Sequence, residues 1–152
     1  MTSLANLKIG FIGGGNMASA LIGGLINQGA QAKNMFVADP FDQTRQRLER
    51  DLSIICAASV DKLAPHIENC DVLVMAVKPQ QFKEAASELA LVFKSITNKP
   101  LCLSVAAGIK TADMAKWLGH QRIIRAMPNT PALIGKGITG LFADAGVTEA
   151  VA

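Results

Sequence analysis

The sequence has 152 residues, of which 50% are hydrophobic and 18% charged, enough apolar material for one sizeable core but not for two. The formal net charge is +3, and the 15 Lys and Arg residues are spread along the chain, which argues against a nucleic-acid-binding surface. No apolar run reaches the roughly 18 residues of a membrane span, and residues 1–7 lack the basic region of a signal peptide. We therefore expect one soluble domain with no membrane partner and a cytoplasmic location.

The cysteines and histidines do not form a recognisable metal or redox motif. Cys56, Cys70 and Cys102 are odd in number, widely separated and set in or beside apolar runs, which fits neither a disulfide framework nor a CxxC site. With His66 and His120 as the two imidazoles, no cluster has metal-ligand spacing. We expect free thiols in a reducing compartment and no bound metal.

Short apolar runs alternate along the chain with longer segments of helical period. The predicted strands cover residues 9–12, 36–38, 54–57, 72–77, 101–105, 123–127 and a possible last strand at 138–142. The predicted helices cover residues 16–28, 44–52, 61–68, 80–93 and 111–118, with Gly29, Pro79 and Thr111 as end or start signals. The pattern predicts a three-layer α/β/α fold, in which helices cover both faces of a mainly parallel sheet.

A glycine-rich loop joins the first predicted strand to the first predicted helix. Its Gly13-x-Gly15-x-x-Ala18 spacing matches a dinucleotide fingerprint in the required strand-to-helix context. Gly13 permits the tight turn, Gly15 lets the backbone approach a pyrophosphate, and Ala18 keeps the helix close to the sheet. The amides from Gly13 to Met17 are expected to converge on the diphosphate. The alternative, a merely flexible turn, fits the context less well, and we predict a Rossmann-type domain that binds NADPH or NADH.

The choice between the two cofactors is open at this point. Asp39 ends the second predicted strand, 21 residues after Ala18, where a carboxylate accepts hydrogen bonds from the adenosine ribose of NAD. Alternatively, Asp39 only starts a turn with Pro40. Arg45 and Arg47 follow closely and would suit the 2′-phosphate of NADP, unless they belong to a solvated helix face.

Four segments go beyond a generic dinucleotide-binding domain. They read GNM (15–17), DVLVMAVKPQ (71–80), LSVAAGI (103–109) and RIIRAMPNTPA (122–132). In this order and at these distances they resemble the pyrroline-5-carboxylate reductases, and the match covers nearly the whole chain. The MPNTP segment after an AVKP strand is far more specific than the glycine loop.

The resemblance implies a set of cofactor-binding residues. It assigns the pyrophosphate to Ile12, Gly13, Gly14, Gly15, Asn16 and Met17, the border of the cofactor and nicotinamide to Ala76, Val77, Lys78 and Pro79, and the nicotinamide side to Ala106, Ala107 and Gly108. It also implies hydride transfer from NAD(P)H to the C=N carbon of 1-pyrroline-5-carboxylate, which gives L-proline.

Each polar residue that is expected to border the substrate has two possible roles. Lys78, Ala107 and Asn129 each follow the carboxyl end of a predicted strand, the edge where open α/β sheets bind ligands. Lys78 could attract cofactor phosphate or a substrate carboxylate, or be a solvated loop lysine. Asn129 and Thr130 could bind the carboxamide or the substrate, or serve as turn residues between two prolines. No residue stands out as the proton donor.

In the family that the chain resembles, a helical carboxyl-terminal domain completes the substrate pocket and forms the dimer. Residues 146–152 read as a helix that is cut off, so we expect residues 1–152 to be a dinucleotide-binding domain of a longer, homo-oligomeric protein. Alone, it should bind NAD(P)H but reduce the substrate poorly. The alternatives are another imine or hydroxy-acid reductase of the same superfamily, and a non-catalytic dinucleotide-binding module.

Overall fold

The computed structural model describes residues 4–105, 109–119 and 123–125. Within these ranges strands and helices alternate along the chain. The strands are β1 (Ile9–Ile12), β2 (Met35–Ala38), β3 (Ile55–Ala57), β4 (Val72–Met75), β5 (Leu101–Ser104) and β6 (Ile123–Arg125). The α-helices are α1 (Asn16–Asn27), α2 (Asp42–Leu52), α3 (Ala64–Glu68), α4 (Pro79–Ser95) and α5 (Thr111–Leu118). Short 3-10 helices cover Leu4–Asn6, Ala32–Asn34 and Val60–Leu63.

The described strands form one sheet in the order β3-β2-β1-β4-β5-β6, and every pairing is parallel. Strand β1 is central, and its last residue, Ile12, lies opposite Ala38 of β2 and Met75 of β4. The carboxyl ends of these three strands therefore meet at one edge. The chain first adds β2 and β3 on one side of β1 and then adds β4, β5 and β6 on the other side. The strand order therefore reverses beside β1, and this is the switch point at which open α/β sheets bind their ligands.

Helices cover both faces of the sheet. On one face α1 and α2 bury Leu21, Ile22 and Leu48 against the sheet, and on the other α4 buries Phe82 and Phe93. Strands β1, β2, β4 and β5 are buried along their whole length, as expected for continuous apolar runs with both faces covered. The predicted three-layer, Rossmann-type fold is confirmed.

Several boundaries differ from the predicted ones by one to three residues, and the difference at the end of β4 bears on the groove. Strand β4 ends at Met75 rather than at residue 77, because Ala76 and Val77 are apolar but turn away to line a pocket. Helix α4 begins at Pro79, whose missing N–H is no loss in a first turn. The predicted elements at 138–142 and 146–152 lie outside the described residues.

No helix in the described part of the chain is both long enough and apolar enough to cross a bilayer.

Candidate functional site: a groove at the carboxyl ends of the strands

A groove of about 420 Å³ opens at the carboxyl ends of β1 to β4. Segments at the ends of four strands, together with residues of α2 and α4, form its walls. The lining residues are Ile12, Gly13, Gly14, Gly15, Ala38, Asp39, Pro40, Phe41, Thr44, Ala58, Ser59, Val60, Ala76, Val77, Lys78, Gln81, Glu84, Ala85 and Glu88. The groove falls within the few hundred cubic ångströms typical of small-molecule sites, and it lies where the sequence predicted it.

Gly13 makes the tight turn out of β1. Its φ is +96°, and a Cβ atom at this position would lie 2.8 Å from the carbonyl oxygen of Ala76. Its amide donates a 2.8 Å hydrogen bond to the carbonyl of Ala38. Both the backbone conformation and the close approach of β4 therefore require glycine here.

Gly14 is packed from the side of α2. A Cβ atom here would lie 2.9 Å from Cδ1 of Leu48 and 3.1 Å from Cγ2 of Thr44. The Gly14 amide donates a 2.8 Å hydrogen bond to Oδ2 of Asp39. The expectation that all amides from Gly13 to Met17 converge on a diphosphate is therefore wrong for Gly13 and Gly14, whose N–H groups are donated within the fold.

Gly15 differs from its two neighbours, because nothing lies within 4 Å of a Cβ atom built on it. It is the N-cap of α1, and no side chain caps the first turn. The amides of Gly15, Asn16 and Met17 lie where a helix offers no acceptor of its own, and all three residues are exposed. With no acidic residue in that turn, the helix start is suited to an anion.

Asp39 is 7% exposed, and both carboxylate oxygens accept hydrogen bonds from backbone amides. Oδ2 accepts from Gly14, and Oδ1 accepts from Phe41 at 2.8 Å. The second hydrogen bond closes the turn that the Asp39-Pro40 pair predicted. The predicted contact with ribose hydroxyls stays a prediction.

Arg45 and Arg47, the residues considered for a 2′-phosphate, both contact the protein itself. Arg45 donates at 2.9 Å to the Asp39 carbonyl and forms a 3.0 Å ion pair with Asp42. Arg47 donates to the Gly14 carbonyl at 3.3 Å and to the Ser19 hydroxyl at 3.1 Å. Neither is a simple solvated arginine.

Across the groove, the segment from Ala76 to Pro79 leads from β4 into α4. The Ala76 amide donates to the carbonyl of Ile12 at 2.8 Å, which ties this segment to β1. Lys78 is the exposed N-cap of α4, and its side chain has no hydrogen-bond or ion-pair partner among the described residues. The structure thus brings Lys78 to the same groove as the glycine loop. The predicted site residues Ala106, Ala107, Gly108, Asn129 and Thr130 lie outside the described residues.

Parts of the groove wall were not predicted, among them the segment 58–60 after β3 and Thr44 of α2. Phe41, 64% exposed, stands at the rim beside Asp39. On α4, Gln81, Glu84, Ala85 and Glu88 share one face of the helix at spacings of three, four and seven residues. That helical spacing was a readable signal, but only the position of α4 in the fold shows what the face borders.

The thiols of Cys56 and Cys70 are not activated. Burial, followed by the nearby Glu49 carboxylate, raises the pKa of Cys56 to about 11. Burial also raises the pKa of Cys70 well above its usual range. Neither thiol has the lowered pKa of a nucleophile.

A parallel α/β/α sheet with a glycine loop and an uncapped helix start at its switch point defines a Rossmann-type domain. Residues 8–108 match the family described as NADP oxidoreductase, coenzyme F420-dependent, and the chain belongs to that family. It is 41% identical, over 94% of its length, to pyrroline-5-carboxylate reductase of Pseudomonas aeruginosa, of which it covers 50%. The resemblance carried by the four sequence segments is thereby confirmed.

Solved structures of pyrroline carboxylate reductases are also similar to this chain. A pyrroline-5-carboxylate reductase from Coxiella burnetii is similar with a TM-score of 0.72 and 35% identity, over 84% of this chain and 46% of that one. A Plasmodium falciparum pyrroline carboxylate reductase with NADP bound has a TM-score of 0.66 and 29% identity, over 86% of this chain and 45% of that one. The chain spans about half the length of the curated relatives it matches.

Proposed function

We propose that the groove binds NADPH or NADH and that this chain is the cofactor-binding half of a pyrroline-5-carboxylate reductase. The observation that carries the proposal is the exposed, uncapped start of α1 at Gly15, Asn16 and Met17, set at the switch point of the sheet. Three amides with no acceptor in the helix, together with the helix dipole, favour a diphosphate there. The 41% identity to a reductase supports the choice of reaction.

The groove fits a dinucleotide by several tests on the protein itself. The space beside Gly15 is open, so backbone can be approached closely at the point where the fingerprint requires it. The groove continues on one side past Asp39 and Phe41 and on the other past Val77 and Lys78. An extended ligand held at the helix start can therefore reach both sides of the switch point.

The reaction we propose reduces the imine of 1-pyrroline-5-carboxylate to L-proline. The nicotinamide would supply a hydride from its C4 to the imine carbon, and the nitrogen would take up one proton from solvent. In this chain, the amides of Gly15 to Met17 bind the anionic centre of the cofactor. Ala76, Val77 and Pro79 form an apolar or uncharged border that helps to exclude water from the reacting end. These residues would fix the orientation of the nicotinamide relative to the imine, and correct orientation accounts for a large share of the rate enhancement in hydride transfer.

Lys78 has a separate part in the proposal. Its ammonium is exposed at the groove and unpaired among the described residues, so it is available to attract either cofactor phosphate or the substrate carboxylate. By the family resemblance, we propose that Ala106, Ala107 and Gly108 contact the nicotinamide and that Asn129 and Thr130 contact the carboxamide or the substrate.

The rest of the substrate site is proposed to come from the half of the relatives that this chain does not cover. The longer protein would then be a homo-oligomer that acts on a small-molecule substrate. The odd number and wide separation of the three cysteines support a cytoplasmic location.

The test is a parallel fluorescence titration of the 152-residue chain with NADPH and NADH, followed by an assay with 1-pyrroline-5-carboxylate. We expect saturable binding of at least one cofactor and little turnover. Failure of both cofactors to bind would overturn the assignment, and robust turnover by this chain alone would overturn the division of labour between the two halves.

A further inference from the structure

The two peptide groups on either side of the Gly14 Cα are each held by a side chain from outside the loop. Its N–H donates to the buried Oδ2 of Asp39 at 2.8 Å, and its carbonyl accepts from Nη2 of Arg47 at 3.3 Å. The N–H belongs to the Gly13–Gly14 peptide group and the C=O to the Gly14–Gly15 peptide group, so Gly14 cannot change its backbone conformation without breaking one of the two hydrogen bonds. The carbonyl that accepts from Arg47 shares its peptide group with the Gly15 N–H, so this hydrogen bond also fixes the orientation of the Gly15 amide.

The carboxylate of Asp39 is itself fixed. Its second oxygen, Oδ1, accepts from the Phe41 amide at 2.8 Å, and Arg45 donates to the Asp39 backbone carbonyl at 2.9 Å. Hydrogen bonds from backbone N–H groups to a charged carboxylate are among the stronger ones in proteins. Asp39 thus joins the end of β2 to the loop after β1.

Arg47 also connects two helices. It lies on α2, and its Nη2 donates a second hydrogen bond, of 3.1 Å, to the Ser19 hydroxyl of α1. Helix α2 lies close enough to do this because Leu48 and Thr44 pack directly against the position of Gly14. The guanidinium therefore joins α1, α2 and the loop at one point.

We propose that Asp39 and Arg47 are positioning residues that hold the two peptide groups flanking Gly14 so that the amides of Gly15, Asn16 and Met17 face the groove before any ligand arrives. This inference rests on the proposed function of the groove. On this inference, neither residue determines the choice between NADH and NADPH, although their positions in the sequence suggested that role. Because both side chains would act through the loop, changing either one should weaken the binding of the two cofactors alike.

The first test is Asp39→Asn, titrated with NADH, NADPH and the 2′-deoxyadenosine analogue of NADH. In the variant, an NH2 group replaces one of the two carboxylate oxygens and faces a backbone N–H, so one of the two hydrogen bonds is lost. We expect all three dissociation constants to rise by the same factor, about tenfold. A shift of the NADPH-to-NADH preference by tenfold, or no effect on the 2′-deoxy analogue alone, would assign Asp39 to the ribose and overturn the proposal.

The second test uses the Arg47 side chain, with Arg50→Met as the matched control. Arg50 lies on the same helix, is exposed and pairs with Asp51 rather than with the loop. Arg47→Met should weaken NADH and NADPH equally, Arg47→Lys should restore part of the loss because an ammonium can still donate to the Gly14 carbonyl, and Arg50→Met should change neither. Selective loss of NADPH in Arg47→Met would overturn the proposal.

A spectroscopic signature separates positioning from a general loss of structure. The Gly14 amide proton, bonded to a carboxylate, should resonate downfield in the unmodified chain and move upfield in Asp39→Asn while distant amides stay in place. If Asp39→Asn does not fold, the Arg47 series decides the matter. Failure of the unmodified chain to bind either cofactor would count against the proposed function, whereas cofactor-selective losses in the variants would count against this inference alone.

Discussion

Two loops border the groove from opposite sides, and they are built differently. In the loop after β1, Gly13 and Gly14 donate their amides within the fold and Gly14 also accepts from Arg47. In the loop after β4, Ala76 is tied to Ile12 by its amide, whereas the Lys78 side chain has no partner among the described residues. The first loop is fixed by its own contacts, and the second offers an uncommitted charge.

This difference separates two tasks. A diphosphate site works best when its donors are already oriented, because ordering them at the moment of binding would reduce the affinity. A flexible cation can instead follow a charge that moves during a reaction. We infer that the β1 side of the groove is preorganised for binding and that the β4 side is the more adaptable one.

The largest expected effect is on stability, in Gly13→Ala. The positive φ and the approach to the Ala76 carbonyl together should destabilise the fold by roughly 3 kcal/mol. Gly29→Ala is the matched control, since Gly29 has a φ of +111° but open space around its Cβ position. Thermal unfolding should show a clearly smaller loss for Gly29→Ala. Equal losses would mean that the contact between the two loops contributes nothing.

Gly15→Asp should separate binding from stability. In the open space at the N-cap, the carboxylate can accept the first-turn amides, which should leave stability unchanged or raise it by about 0.5 kcal/mol. It would also occupy and repel the diphosphate, so NADPH affinity should fall by roughly 100-fold, or about 2.7 kcal/mol. The isosteric Gly15→Asn, which caps without charge, should lose less. Unchanged affinity in Gly15→Asp would place the diphosphate elsewhere.

Lys78→Gln tests the other side of the groove. Loss of one exposed cation should weaken NADPH binding by about threefold at low salt, with a smaller effect as salt is added. Lys94→Gln, at the far end of α4, is the control and should have no effect. Titrations at two salt concentrations measure both. A loss that persists at high salt would show that Lys78 is fixed in place rather than adaptable.

The smallest effect concerns Cys56, on β3 behind the braced side of the groove. Because burial raises the pKa of this thiol to about 11, the reactive thiolate is scarce at neutral pH and increases only as the pH rises towards that value. Alkylation by iodoacetamide, followed by mass spectrometry, should be slow at pH 7.5 and accelerate steadily up to pH 10. Rapid labelling at pH 7.5 would indicate that the β2–β3 side opens, contrary to a preorganised groove.

Local patterns were enough to predict the architecture. Continuous apolar runs such as 72–77 predicted buried parallel strands, and Pro79 marked the start of α4, because both signals arise within a few residues. The strand end at Met75 was not predictable, because Ala76 and Val77 are also apolar but line the groove and lie outside the sheet.

The glycine loop was located correctly, and the spacing predicted the tight turn at Gly13 and the open approach at Gly15. The packing of Gly14 against Leu48 and Thr44 was not predicted. The contact of Arg47 with Gly14 joins residues 33 positions apart. Such a contact depends on how α2 packs on the sheet, which no local pattern encodes.

The most direct measurement is an amide NMR titration of the 152-residue chain with NADPH. We expect the largest shifts at Gly15, Asn16 and Met17, whose amides have no acceptor in the helix, and smaller ones at Gly13 and Gly14, whose amides are donated to Ala38 and Asp39. Saturable binding that leaves the Gly15 to Met17 amides unmoved would contradict this expectation.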